Sequence, residues 1–400
     1  MGFQAVAFGV YVVWLVGGLE RKWGEMVAGI AVGISLISFP NLSDDIFRFF
    51  WDGVLTINHV SPFDHLPVEI YSHLKPADQV WLWSLNSPYY YSIYPSFNQL
   101  LFLVGAALGG SFEGFALVYS LLFLLPFFGI AWAWNRNPVL RQLPSSLFFL
   151  NPFVIVEFWG NLHAEIWVVW FGLLAWNAYI DKKEGTAFAW ICLSIATKLI
   201  PAICIPALAL KYYRSPKFWL IGATGLAFLL IPLVGHDRTQ HFLESFNLYV
   251  QTFEFQAYFY PLFKAIGTAY LGYNPIKILG PILSISSATL ILLLTAIYFK
   301  KGLSTSLFVL LFAAYYLLTP IFHPWYYLYF LALGIAKKEA GLVLYSACLP
   351  LSYYAYCEPG FSWVVWGVQI GFGLVLWFYR KGLNSLLFQN GPRELVKFES

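Results

Sequence analysis

Residues 39–67 read FPNLSDDIFRFFWDGVLTINHVSPFDHLP, a polar and aromatic stretch that begins where the second apolar run of the chain ends. The run before it, 25–40, is one of many. Others lie near 1–19, 113–134, 143–159, 162–180, 186–211, 218–235, 276–299, 303–322, 325–336, 340–357 and 361–380. A helix rises about 1.5 Å per residue, so crossing a hydrocarbon layer about 30 Å thick takes roughly 20 apolar residues. The runs therefore predict an all-α polytopic membrane protein. Composition agrees, since 60% of the 400 residues are hydrophobic and only 11% are charged, against roughly a quarter charged in soluble domains. The net charge of +3 is too small to point to nucleic acid. No small-residue cleavage site follows the first run, which reads as a retained helix.

Short basic turns separate the runs: Arg21/Lys22, Arg136/Arg141, Lys182/Lys183, Lys211/Arg214/Lys217, Lys300/Lys301, Lys337/Lys338 and Arg380/Lys381. With these turns cytoplasmic, 15 of 23 Lys and Arg lie inside, and the opposite face holds all seven histidines and 13 of 20 acids. That is the orientation the positive-inside tendency favours. Stretch 97–110 is short for a span, and a crossing there would put Arg136/Arg141 outside. It is therefore expected to lie at the outer interface or dip into it. By the same logic 186–211 is a hairpin of two short helices turning near Lys198 and Pro201. About 11–13 transmembrane helices result, with the N-terminus outside. Residues 1–385 form one membrane domain, with 40–96 and 236–275 as outer loops and 386–400 as a cytoplasmic tail. Cys192, Cys204, Cys348 and Cys357 show no CxxC and no His at ligand spacing, so they read as small core residues rather than a disulfide or metal framework.

Within the first outer loop, Ser43 before Asp44 and Asp45 resembles a helix N-cap with acids at the positive end of the dipole. Ile46, Phe49 and Phe50 alternate with Arg48 and Asp52 at helical spacing, which predicts an amphipathic helix over 44–56 on the bilayer surface. Paired acids at a helix start are ordinarily caps. Acids immediately after a membrane span are more often functional.

The order of short motifs is similar to that of the GT-C superfamily of membrane glycosyltransferases, in its polyprenyl-phosphate-sugar-dependent, mannosyltransferase-like branch. The counterparts are Ser43-Asp44-Asp45, Arg48-Phe49-Phe50, Asp52-Gly53, Ser61-Pro62-Phe63 and Tyr94-Pro95-Ser96-Phe97. Further along come Asn151-Pro152, Gly160-Asn161-Leu162-His163-Ala164-Glu165, Thr197-Lys198-Leu199-Ile200-Pro201 and His323-Pro324-Trp325-Tyr326. Ser61 stands where Asn is common, Ser96 where a second Pro is usual, and Glu165 where Asp is frequent.

The resemblance implies an inverting transfer of a hexose, mannose foremost, from a polyprenyl-phosphate donor to an acceptor hydroxyl on the non-cytoplasmic face. One of Asp44 and Asp45 would be the general base, with Asp44 favoured. Asp52 would orient the loop or bind the acceptor, unless it belongs to a solvated face. Lys198 is the foremost cation for the leaving phosphate, since a lysine between apolar half-helices ordinarily faces a cavity or a partner. Snorkelling is the alternative. Arg238 is a second such cation, unless it pairs with Asp237; Arg48 has Asp44, Asp45 and Asp52 within reach. Tyr94, His163, Glu165, His323 and Trp325 complete the substrate-binding candidates, although a lone His is more often a satisfied hydrogen-bonding residue, and Trp at that depth is also an ordinary interface anchor. The family variably uses a divalent metal; no ligand spacing here predicts a site. The partners implied are membrane lipid, the lipid-linked sugar and a glycan or glycolipid acceptor, with no nucleic acid. Short turns suit a bacterial inner membrane with the active site facing outward. The competing reading is a transporter or flippase of a lipid-linked sugar, which the asymmetric outer loop does not fit.

Overall fold

A computed structural model describes residues 2–17, 21–36, 43–70 and 84–388. The end of the second apolar run, part of the first outer loop (71–83) and the tail beyond 388 lie outside the described residues. Helices account for the fold, and the described residues contain no strand beyond an isolated bridge between Phe255 and Ile321. In chain order the main helices are α1 (Gly2–Gly17), α2 (Arg21–Leu36), α3 (Asp45–Ile57), α4 (Ser96–Gly109) and α5 (Phe112–Arg136). Then follow α6 (Glu165–Ile180), α7 (Glu184–Thr197), α8 (Ile205–Tyr212), α9 (Pro216–Leu230), α10 (Arg238–Gln251), α11 (Tyr260–Leu271) and α12 (Ile276–Tyr298). The last are α13 (Thr305–Leu318), α14 (Tyr327–Ala336), α15 (Ala340–Tyr345), α16 (Leu351–Cys357) and α17 (Ser362–Phe388).

Four helical stretches are both long and apolar enough to cross a bilayer unbroken: Phe112–Arg136, Pro216–Leu233, Ile276–Tyr298 and Ser362–Phe388. Most of the other expected spans are built from shorter pieces. The breaks have identifiable causes. Pro126 offers no N–H to the carbonyl of Leu122, and α5 turns at Phe123. Asn151 caps a short helix over Pro152–Ile155, its side chain accepting from the Phe153 N–H, and the chain then widens into a π-helical turn over Val156–Gly160. Irregular backbone at such depth is tolerated where it is buried in protein or lines a cavity. Here it does both.

Stretch 97–110 falls in α4, which packs against α3 and α5. At the start of α4, Phe97 packs edge-on against Trp167 and Phe171, which are among the first turns of α6. Its far end turns at Gly110 (φ 71°) and passes straight into α5, whose Phe112 stacks on Phe47 of α3. The hairpin over 186–211 also appears, as α7 and α8 joined through Lys198, whose backbone is extended, and a 3-10 turn over Ile200–Cys204.

The expectation for α3 needs correction. The helix spans Asp45–Ile57 with Asp44 at the cap position, and the Ser43 hydroxyl accepts a bond from the Asp45 N–H at 3.3 Å. It does not lie with one wet face on the bilayer: Ile46 and every residue from Arg48 to Leu55 are buried. Its polar residues turn inward because the loop after residue 84 and α4 supply them with partners. Gly53 permits the closest crossing, since a Cβ there would run into the Phe102 carbonyl and meet the Ala106 Cβ at 2.8 Å. All four cysteines are free; Cys204 and Cys348 are buried, whereas Cys357 is exposed.

Candidate active site

A cavity of about 1950 Å³ opens where the broken helices meet. One wall carries Asp44 and Asp45 from the start of α3, with Arg48 and Tyr94 beside them. Lys198 from the α7–α8 break and the His323/Trp325 turn also line it. From there the cavity runs sideways between α10, α11 and α12 along small residues such as Ala265, Ala269, Ser284 and Ala288. The helices that frame it have their basic turns at the other end: α6 begins at Glu165 and ends before Lys182/Lys183, and α7 returns from there to Lys198.

Asp44 and Asp45 differ sharply. The Asp44 side chain is exposed to the cavity, and no hydrogen bond or ion pair engages its carboxylate among the described residues. Asp45 is pinned, accepting from Asn86 Nδ2 at 2.8 Å and lying 3.6 Å from His163 Nε2. Burial works to raise the Asp45 carboxyl, but the nearby His163 ring with its charge and the Asn86 amide outweigh it and hold the group at about 2.

His163 stands behind the wall, 2% exposed, in the break between the π-helical turn and α6. The preceding Leu162 is held at φ 54°, a conformation a leucine rarely adopts. His163 Nδ1 lies 3.0 Å from Glu157 Oε2, and its N–H donates to the Glu157 carbonyl at 3.1 Å. Burial opposes a proton on this ring, yet Asp45 and Glu157 push its pKa up to about 9. The ring stacks on Trp325 with centroids 3.9 Å apart, and Trp325 stacks in turn on His323 at 4.4 Å. Burial drives His323 the other way, down to about 3, with the Lys198 and His163 charges adding to the fall and Asp45 opposing it. The two imidazoles are thus shifted in opposite directions.

Glu165 is 1% exposed and receives Lys198, whose Nζ lies 2.9 Å from Oε1 and 5.4 Å from the Tyr326 ring centroid. His163 and Glu165 thus stand behind the cavity wall, holding the groups that face into it. Asp52 is fully buried too. It accepts from Arg48 Nε at 2.8 Å, Ser92 Oγ at 2.5 Å and Gln99 Nε2 at 3.0 Å, so it ties the helix to the loop and does not reach the cavity. Of its three available acids, Arg48 takes Asp52, and its Nη1 also donates to the Ser87 and Tyr90 carbonyls. Arg238 is not in the cavity wall. Its guanidinium grips Asp64 of the first outer loop, at 2.5 and 2.8 Å, rather than Asp237, which sits 3.1 Å from His236. That contact joins two loops and leaves no free cation for a substrate.

Sequence reading passed over Glu157, Tyr353 and Asn86. An acid inside an apolar run is itself a signal, and Glu157 lies in the run 143–159. Nothing local marks Tyr353 or Asn86. Among the described residues no three His, Cys, Asp or Glu side chains converge to hold a metal ion; the buried acids take His163, Tyr353, Asn161 and Lys198 as partners instead.

Residues 25–214 match the family described as alpha-(1->6)-mannopyranosyltransferase, N-terminal domain. The matched stretch is similar to the N-terminal domain of that family. The match includes both aspartates, Glu157, His163, Glu165 and Lys198, and it supports a hexosyltransferase activity. The remaining wall of the cavity, from α10 through the His323/Trp325 turn, falls outside the matched residues. No curated protein and no solved structure shows significant similarity to the chain.

Proposed function

We propose that this mannosyltransferase takes its sugar from a polyprenyl-phosphate donor and transfers it with inversion to an acceptor hydroxyl on the non-cytoplasmic side. The observation that carries the reading is a single cavity lined by a carboxylate, Asp44, that has no partner among the described residues, and by an ammonium, Lys198, and continuing along α10, α11 and α12. A hydroxyl is a weak nucleophile and needs a base within hydrogen-bond reach. Asp44 fits that role better than Asp45, whose carboxyl is already committed. As the acceptor oxygen bonds to the anomeric carbon, its proton passes to Asp44. The bond from that carbon to the phosphate oxygen breaks, and the electron pair leaves with the lipid phosphate, whose added charge Lys198 meets. The side branch gives the polyprenyl chain an apolar path. An ordinary ligand pocket measures roughly 300–1,000 Å³, and this cavity of about 1950 Å³ has room for donor and acceptor together.

Charge supports this sidedness. The basic turns lie at the helix ends opposite the cavity, and basic turns remain cytoplasmic.

The test is an assay of the purified enzyme against a panel of polyprenyl-phosphate sugars. The mannosyl donor is expected to support transfer, and Asp44→Asn to lower kcat by about 10²- to 10⁴-fold with the donor KM little changed. Full activity of Asp44→Asn, or transfer only from a soluble nucleotide sugar, would sink the reading.

A further inference from the structure

Glu157 has no part in the chemistry just described, yet among the described residues it is as heavily engaged as Asp52. It is fully buried, on the π-helical turn, and each of its oxygens is used. Tyr353 of α16 donates to Oε1 at 2.7 Å, Asn161 donates to Oε2 at 3.0 Å, and His163 Nδ1 meets the same Oε2 at 3.0 Å. Asn161 also donates to the Tyr353 hydroxyl at 2.7 Å, which closes the frame. A buried carboxylate is costly to leave uncompensated, and the cation in contact with this one is the His163 ring.

We propose that Glu157 is a positioning residue for mannosyl transfer: it grips the His163 ring, and that ring fixes the Asp45 carboxylate in the cavity wall, leaving Asp44 as the base. The arrangement is a relay of charges from Glu157 through His163 to Asp45. The three carboxylates facing the ring favour this. Asp45 comes from α3, Glu157 from the π-helical turn and Glu165 from the start of α6. On its flat side is Trp325, an aromatic face that stabilises a cation. Lys198 opposes the proton but is drawn away by Glu165, and His323 beyond Trp325 is neutral near pH 7. A π-helical turn is a device often found at functional sites. Here it gives the segment one extra residue per turn, which lets Glu157 and His163 meet through both backbone and side chain. The proposal rests on the mannosyltransferase reading only for its last step, the choice of Asp44 as base.

The experiment is NMR titration of isotopically labelled histidine in the full-length enzyme in lipid nanodiscs, with the His163 signal assigned by His163→Gln. In the native enzyme His163 is expected to lose its proton near pH 9. In Glu157→Gln, which keeps the side-chain shape but removes the charge, that transition is expected to fall by at least about one pH unit, and the alkaline limb of the pH–rate profile to fall with it. An unchanged His163 titration in Glu157→Gln overturns the proposal whatever the activity does. Should Glu157→Gln fail to fold, Tyr353→Phe serves. It removes one hydrogen bond and no charge, so His163 must still titrate near pH 9; a fall of a unit or more would show that the hydrogen-bond frame, not the Glu157 charge, governs the ring. If the titration behaves as expected but Asp44→Asn retains full activity, the relay stands and the assignment of the base fails.

Discussion

Lys198 and Glu165 illustrate what a residue-level reading of this chain captures and what it misses. A lysine between two apolar half-helices announces a cavity or a partner, and the structure supplies both: the ammonium faces the cavity and lies 2.9 Å from Glu165. What sequence does not carry is the division of labour, because partner choice depends on residues far apart in the chain. His163 meets Asp45 across more than a hundred residues, and Glu157 meets Tyr353 across 196. The pair makes its own prediction. Lys198→Met leaves Glu165 buried without a cation, a loss of about 3–5 kcal/mol by the usual cost of breaking a buried pair. The double change Lys198→Met with Glu165→Leu removes both charges and should recover most of that stability. Thermal unfolding in detergent measures the recovery, and the transfer assay should find the double variant still inactive with the lipid donor. Activity in the double variant would mean that Lys198 does no more than neutralise Glu165.

At the scale of elements, the helices were legible and their environment was not. The i,i+3/i+4 spacing of Ile46, Phe49 and Phe50 gives α3 within a residue of its bounds, because a local periodicity reports a local structure. The same pattern misled about the setting, since Arg48 and Asp52 look like a wet face until the loop after residue 84 brings Ser87, Ser92 and Tyr90 to them. The pairing of Asp52 with a small residue now has a physical reason. Asp52 ties the helix to that loop, and the next residue must let α4 pass. Gly53→Val should therefore be severe, because its side chain would overlap the Phe102 carbonyl and crowd Ala106. Overpacking of this kind costs about 1–3 kcal/mol, and it would push α3 away from α4 and carry Asp44 with it. The expected result is a lower melting temperature together with a lower kcat, and Gly53→Ala should fall between the native chain and Gly53→Val. A Gly53→Val enzyme as stable as the native one would show that the two helices separate freely.

At the scale of the whole molecule, α6, α7, α12, α13 and α14 each run between the cavity side and a basic turn, so one measurement of orientation fixes the face on which the enzyme works. Cys357 is a natural reporter. It is exposed, it lies in the cavity wall, and the other three cysteines are buried or half-buried. With the basic turns cytoplasmic, a membrane-impermeant maleimide added to intact spheroplasts should label the native chain at Cys357, and Cys357→Ser should lose the label. A cysteine placed at Asp181, between α6 and α7 beside Lys182 and Lys183, should in the Cys357→Ser background react only in inverted vesicles. Binding of a polyprenyl-phosphate sugar in the cavity should slow the reaction of Cys357 and leave a cysteine at 181 unaffected. If the two positions exchange their accessibility, the cavity opens to the cytoplasm, where soluble nucleotide sugars are the available donors and the lipid-phosphate donor loses its main support. If Cys357 labels from outside but no lipid-linked sugar protects it, the orientation holds and the donor must reach Asp44 by a path that avoids the cavity rim.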